Sequence, residues 1–96
     1  MFVVLLKFSS HRDQAGKFMD GHMKWLKQGF NDGIFLLSGT IKPRLGGAII
    51  ANNTSLNELS KRVDSDPFVI EKIVTAEIVE IEPGKADQRF DFLLKG

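Results

Sequence analysis

Apolar and polar positions along this chain change period from one stretch to the next, and each change marks an element. Residues 2–8 (FVVLLKF) alternate with Phe2, Val4, Leu6 and Phe8 on one face and Val3, Leu5 and Lys7 on the other. Both faces are mostly apolar, which predicts a strand covered on both sides. Over residues 13–32 the period becomes helical. Ala15, Phe18, Met19, His22, Trp25, Leu26 and Phe30 fall in one arc at about 100° per residue, with the imidazole of His22 near its centre. Ser10 or Asp13 is placed to cap this helix, and Asn31-Asp32-Gly33 to stop it.

A second strand is predicted over residues 34–37 (IFLL), after which Ser38-Gly39-Thr40 leads into a loop carrying Lys42, Pro43 and Arg44. Residues 46–51 (GGAIIA) form a third strand, whose leading glycines permit a bend or close backbone approach. Ser55 and Glu58 have capping-box spacing and open a second helix through Leu56, Leu59 and Val63. Asp66-Pro67-Phe68 starts a further turn, proline being suited to the first helical position. Residues 73–81 (IVTAEIVEI) are the clearest alternating segment and the fourth strand, closed by Pro83-Gly84. The last stretch begins polar and ends with Phe90, Phe92, Leu93 and Leu94.

The resulting order, β-α-β-β-α-β, is the split arrangement of ferredoxin-like folds, in the α+β class. Both helices then cover one face of an antiparallel sheet. Strands 1 and 4 nevertheless carry apolar residues on both faces, and a chain of 96 residues has little left to cover the second. A homodimer, sheet against sheet about a two-fold axis, is the economical arrangement. The domain is expected over residues 1–82, with residues 83–96 an arm that packs on the partner.

Composition narrows the function. Thirteen basic and twelve acidic residues leave a net charge of +1, without the basic footprint that nucleic acid binding usually needs. The sheet also lacks the exposed aromatics on which single-stranded RNA stacks. There is no cysteine, which excludes disulfides, thiolate catalysis and cysteine-based zinc sites. The two histidines, His11 and His22, show no metal-binding spacing, so neither a metal nor a cofactor is expected. The apolar opening is too short to span a bilayer. No membrane association is expected, and the cytoplasm is the expected compartment.

Three motifs carry a resemblance. The first is H-x-x-W in helix 1 (His22, Trp25), the second Ser38-Gly39 followed by P-R-x-G-G (Pro43, Arg44, Gly46, Gly47), and the third D-P-F (Asp66, Pro67, Phe68). In this order and spacing, over residues 1–82, the chain resembles the YciI-like (YCII-related) proteins, small dimeric α/β-barrel proteins of ferredoxin-like fold. Members often show S-G-P after strand 2, where this chain has Thr40. The resemblance implies a pocket between helices and sheet near a dimer interface, with a His–Asp pair at its centre, here His22 and Asp66. Related dimeric barrels include ring-modifying isomerases, dehalogenating lyases and monooxygenases.

Each candidate also has a plain structural explanation. His22 is either a general acid or base oriented by a carboxylate or a core histidine bonded to a backbone carbonyl. Asp66 is either its partner or a helix cap, and a carboxylate has lone pairs for both. Arg44 suits a bidentate clamp on a substrate carboxylate or is a solvated loop residue. Ser38 and Gly39 either present a hydroxyl and an N–H to ligand or simply end a strand. Phe68 either lines the pocket or anchors its turn. The expected function is cofactor-free proton transfer, of lyase or isomerase type, on a small cyclic or aromatic organic acid. The alternative is a non-catalytic module that binds a small molecule or a partner through the same pocket.

Overall fold

The computed structural model describes residues 1–95; Gly96, the last residue of the expected arm, lies outside the described residues. Strand β1 (Phe2–Phe8) leads through a 3-10 turn (Arg12–Gln14) into helix α1 (Ala15–Asn31). Strands β2 (Phe35–Ile41) and β3 (Gly46–Ala51) follow as a hairpin. Helix α2 (Leu56–Asp64), the short helix α3 (Pro67–Ile70) and strand β4 (Val74–Glu80) complete the domain. The four strands form one antiparallel sheet in the order β2-β3-β1-β4. β1 and β2 flank β3 without touching, which makes this the ferredoxin-like βαββαβ fold of the α+β class. Among the described residues, no helix is long and apolar enough to cross a membrane.

Alternation along β1 sets the core. Phe2, Val4 and Leu6 are buried against the helices with Phe35, Ile49, Leu59, Val63 and Phe68, whereas Val3 and Leu5, on the other face, are only half-buried. Each fully buried aliphatic side chain contributes roughly 1.5–3 kcal/mol, so the helix-facing side of the sheet supplies most of the stability. Two glycines permit close approaches on this scaffold. A methyl on Gly29 of α1 would run into the Phe35 ring, and one on Gly46 (φ 141°) into the Leu6 carbonyl.

Three expectations shift. Helix 1 begins at Ala15 without a side-chain cap: a backbone turn, with Arg12 N–H donating to Ser9 O and Gln14 N–H to His11 O, stands where Ser10 or Asp13 was expected to cap. Its apolar arc is more open than its pattern suggests, with Met19 and Phe30 exposed. β2 runs on to Ile41, because Gly39 and Thr40 pair with Ala48 and Gly47 and a bulge between Phe35 and Leu37 adjusts the register. Cross-strand pairing here overrides the weak strand preference of Ser-Gly-Thr. In the arm, a 3-10 turn (Gln88–Leu93) leaves Phe90, Phe92 and Leu94 about half exposed.

Candidate active site

Asp66 ends the linker between α2 and α3 and caps α3, its Oδ1 accepting the Phe68 N–H at 3.0 Å. Pro67 at the first helical position needs no donor partner. This short helix lies against the middle of α1, where Gly21 leaves room: a methyl there would stand 3.2 Å from Pro67 Cγ. That approach brings His22, the next residue along α1, to Asp66. His22 Nδ1 and Asp66 Oδ1 are 2.8 Å apart. An ionised carboxylate only accepts, so Nδ1 is the donor, and in the neutral ring Nε2 then carries the lone pair. Asp66 is fully buried, and its Oδ2 has no hydrogen-bond partner among the described residues. His22 keeps 15% of its side chain exposed.

The imidazole is held in plane from one side. Phe68 stacks on it with ring centroids 4.0 Å apart and an interplanar angle of 4°. Trp25, one helical turn along α1, lies 5.7 Å away and donates its indole N–H to Arg62 O at 2.8 Å. That bond ties α1 to the end of α2. A second tie, Arg62 to Asp32 at 3.0 Å, closes the same seam.

His22 also borders a cavity of about 210 Å³ between α1 and the β2–β3 side of the sheet. Leu6, Leu26, Ala48 and Ile49 form its apolar wall, and Ser38 and Thr40 face it from β2, with Gly39 between them and Gly47 of β3 opposite Thr40. A larger open cleft, about 1020 Å³, lies between the arm and the ends of β1 and β4, lined by Phe2, Glu80, Pro83 and Phe92 among others. It has no histidine in its wall and no paired titratable groups. The chemistry-bearing pair borders the smaller cavity.

Of the residues marked out from sequence, the structure brings together His22, Asp66, Ser38 and Gly39. Phe68 lies beneath the imidazole and not in the cavity wall. Arg44 stays in the β2–β3 turn with a left-handed backbone (φ 58°), its carbonyl accepting from Arg12 Nη2 at 3.0 Å, and is not among the residues bordering the cavity. Two contributors escaped the sequence reading. Thr40 follows a Ser-Gly pair of weak strand preference, yet it pairs with Gly47; alternation continued from Ser38 places it on the same face. The Trp25 anchor depends on where α2 ends, and nothing local signals it. Among the described residues, no three His, Asp or Glu side chains converge as a ligand set for a metal.

A family model for the YCII-related domain matches residues 1–83 of the chain. No curated protein matches it. Among solved structures, the chain is similar in fold to the 5-chloro-2-hydroxyhydroquinone dehydrochlorinase TftG of Burkholderia phenoliruptrix AC1100, described in complex with 2,5-dihydroxybenzoquinone. The TM-score is 0.69 at 14% sequence identity, covering 88% of this chain and 96% of the other. At that identity the likeness concerns the fold.

Proposed function

Because the chain belongs to the YCII-related domain family, we propose that it is a small enzyme that moves a proton on a cyclic or aromatic molecule, with His22 as the acid–base group. The observation that carries this reading is the 2.8 Å bond from His22 Nδ1 to a fully buried carboxylate, made beside a cavity of ring-sized dimensions. Asp66 holds the tautomer that leaves Nε2 basic, and its charge balances the imidazolium formed when Nε2 accepts a proton. Phe68 keeps the ring from turning. Returning the proton to a different atom of the substrate gives isomerisation, and expelling a leaving group gives a lyase reaction. The dehydrochlorinase of like fold is an example of chemistry on an oxygenated ring. Arg44 would have anchored a carboxylate, but it is not part of the cavity wall, which weakens the organic-acid form of the reading.

The same proposal includes a second copy. The sheet face away from the helices carries an apolar band, with Leu37 55% and Val79 41% exposed beside the half-buried Val3, Leu5 and Ile50, while Lys7, Thr75 and Glu77 stand on the same face toward the other end of the β1–β4 pair. A sheet-to-sheet homodimer, a dimeric α/β barrel, covers it, and the arm from residue 83 onward lays Phe90 and Phe92 on the partner.

Positioned proton transfer typically contributes about 10²–10⁴-fold. His22→Ala is therefore expected to lower turnover of whichever ring substrate a screen of hydroxylated and chlorinated aromatics identifies by roughly that factor, with the circular dichroism spectrum unchanged. Full turnover by a folded His22→Ala protein would refute the role of His22. Binding without turnover across the screen would favour a non-catalytic module in the same pocket.

A further inference from the structure

The cavity wall contributed by β2 carries two hydroxyls that proton transfer does not use. Ser38 is paired with Ile49 and Thr40 with Gly47, and these partners pair in turn with Val4 and Leu6, which are buried against the helices. Directly opposed residues share a sheet face, so Ser38 and Thr40 both stand on the His22 side of β2. They lie about 7 Å apart, two residues at about 3.4 Å each. The space facing Thr40 is open: opposite it stands Gly47, where even a methyl would make only an ordinary contact, 3.5 Å from the Gly39 carbonyl oxygen. Both residues are exposed, and each hydroxyl can exchange water for a ligand oxygen.

Charge and volume narrow what fits. No lysine or arginine borders the cavity, while the carboxylate of Asp66 sits directly behind the imidazole. A ligand atom bonded to Nε2 lies roughly 8 Å from that carboxylate, adding the ring and a second hydrogen bond to the first. With a neutral imidazole between them and an effective dielectric constant of about 20, a unit negative charge there is disfavoured on the order of thirty-fold. A cavity of roughly 150 Å³ takes benzene, so about 210 Å³ takes one ring with a few oxygen substituents.

We infer that Ser38 and Thr40 determine specificity, reading hydroxyl or carbonyl oxygens on a single uncharged ring, and that the pocket discriminates against the same ring bearing a carboxylate. This rests on the proton-transfer reading of the site above, and it replaces an organic acid with a neutral phenol or quinone as the substrate class.

The test follows the His22 imidazole by NMR in the full chain, assigned against His11→Gln, during titration with hydroquinone and with 2,5-dihydroxybenzoate. Hydroquinone is expected to shift the His22 signals and to bind more tightly than the carboxylate by on the order of thirty-fold. Thr40→Val keeps the β-branch, and Ser38→Ala the small size; each should weaken hydroquinone about three- to ten-fold, the worth of one neutral hydrogen bond. Equal or tighter binding of 2,5-dihydroxybenzoate overturns the substrate class while leaving His22 as the acid–base group. Unchanged hydroquinone affinity in both variants overturns the roles of Ser38 and Thr40. If neither compound moves the His22 signals, the small-molecule reading of the cavity falls, and this inference with it.

Discussion

Replacing Asp66 separates its hydrogen bonds from its charge. In Asp66→Ala, the α3 cap is lost, at about 1 kcal/mol, and the Phe68 N–H that donates to Asp66 at 3.0 Å is stranded in a buried site. An unsatisfied buried donor costs about 1–3 kcal/mol; the cap and the stranded N–H overlap and are not added twice. The His22 Nδ1–H also loses its acceptor, which was charge-assisted and worth about 1.5–3 kcal/mol, partly recovered by water because the ring is 15% exposed. The expected total is about 3 kcal/mol, a large share of the roughly 5–15 kcal/mol of a typical domain. Asp66→Asn keeps an oxygen that accepts both bonds and removes a buried charge that is itself costly to desolvate, a gain offset by the amide N–H groups that replace the unpartnered Oδ2. Its expected change is within about 1 kcal/mol. Urea unfolding followed by the fluorescence of Trp25, the single tryptophan and a neighbour of the His22 ring, measures both. Equal stabilities for the alanine and asparagine variants would refute the claim that these two hydrogen bonds hold the α1–α3 seam.

Glycine substitutions should differ by site: Gly46→Ala forces a side chain onto a φ of 141° against the Leu6 carbonyl and should destabilise by more than about 2 kcal/mol, whereas Gly16→Ala meets nothing within 4 Å and should stabilise by about 0.5–1 kcal/mol. Chemical denaturation ranks the two. The Asp32 carboxyl is held below its ordinary value of 3.8 by a hydrogen bond from Gln28 and then by Arg62. A depressed folded value stabilises above the unfolded one and is lost as pH falls through it, so the stability gap between wild type and Asp32→Asn should close below pH 3.8; a gap that persists at lower pH would contradict the assignment. Leu37→Asp places a charge on the bare sheet face and should halve the mass seen by light scattering, with the secondary structure intact; a wild-type chain already monomeric at micromolar concentration would end the dimer proposal. His22→Ala supplies the corresponding test of the chemistry.

Much of the fold is written in local patterns. Alternation in 2–8 and 73–81, the helical arc of α1 and the punctuation by Gly33, Ser55 and Asp66-Pro67 all act within a few residues, and each corresponds to an element of the structure. Ser55 accepts the Glu58 N–H at 3.1 Å, which is the N-cap half of the expected capping box; the reciprocal bond from the Ser55 N–H to the Glu58 carboxylate is not made among the described residues. The ends of elements were less visible wherever their partners are distant in sequence. β2 continues through Ser38-Gly39-Thr40 because β3 supplies ladder partners, and α1 starts on a backbone turn instead of a capping side chain.

The site shows the same division. Sequence alone determined that a lone imidazole would stand on an apolar helix face and that Asp66 would cap a short helix, because periodicity and capping are local. Only the tertiary structure decided that the two side chains meet. They are 44 residues apart, and their 2.8 Å separation depends on Gly21 admitting Pro67, Phe68 stacking on the ring, and Trp25 binding the end of α2. Tertiary structure also decided which neighbours face the cavity, adding Thr40 and leaving Arg44 in its turn. Pairing register, close approach and burial are sums over distant parts of the chain, and no short stretch contains them.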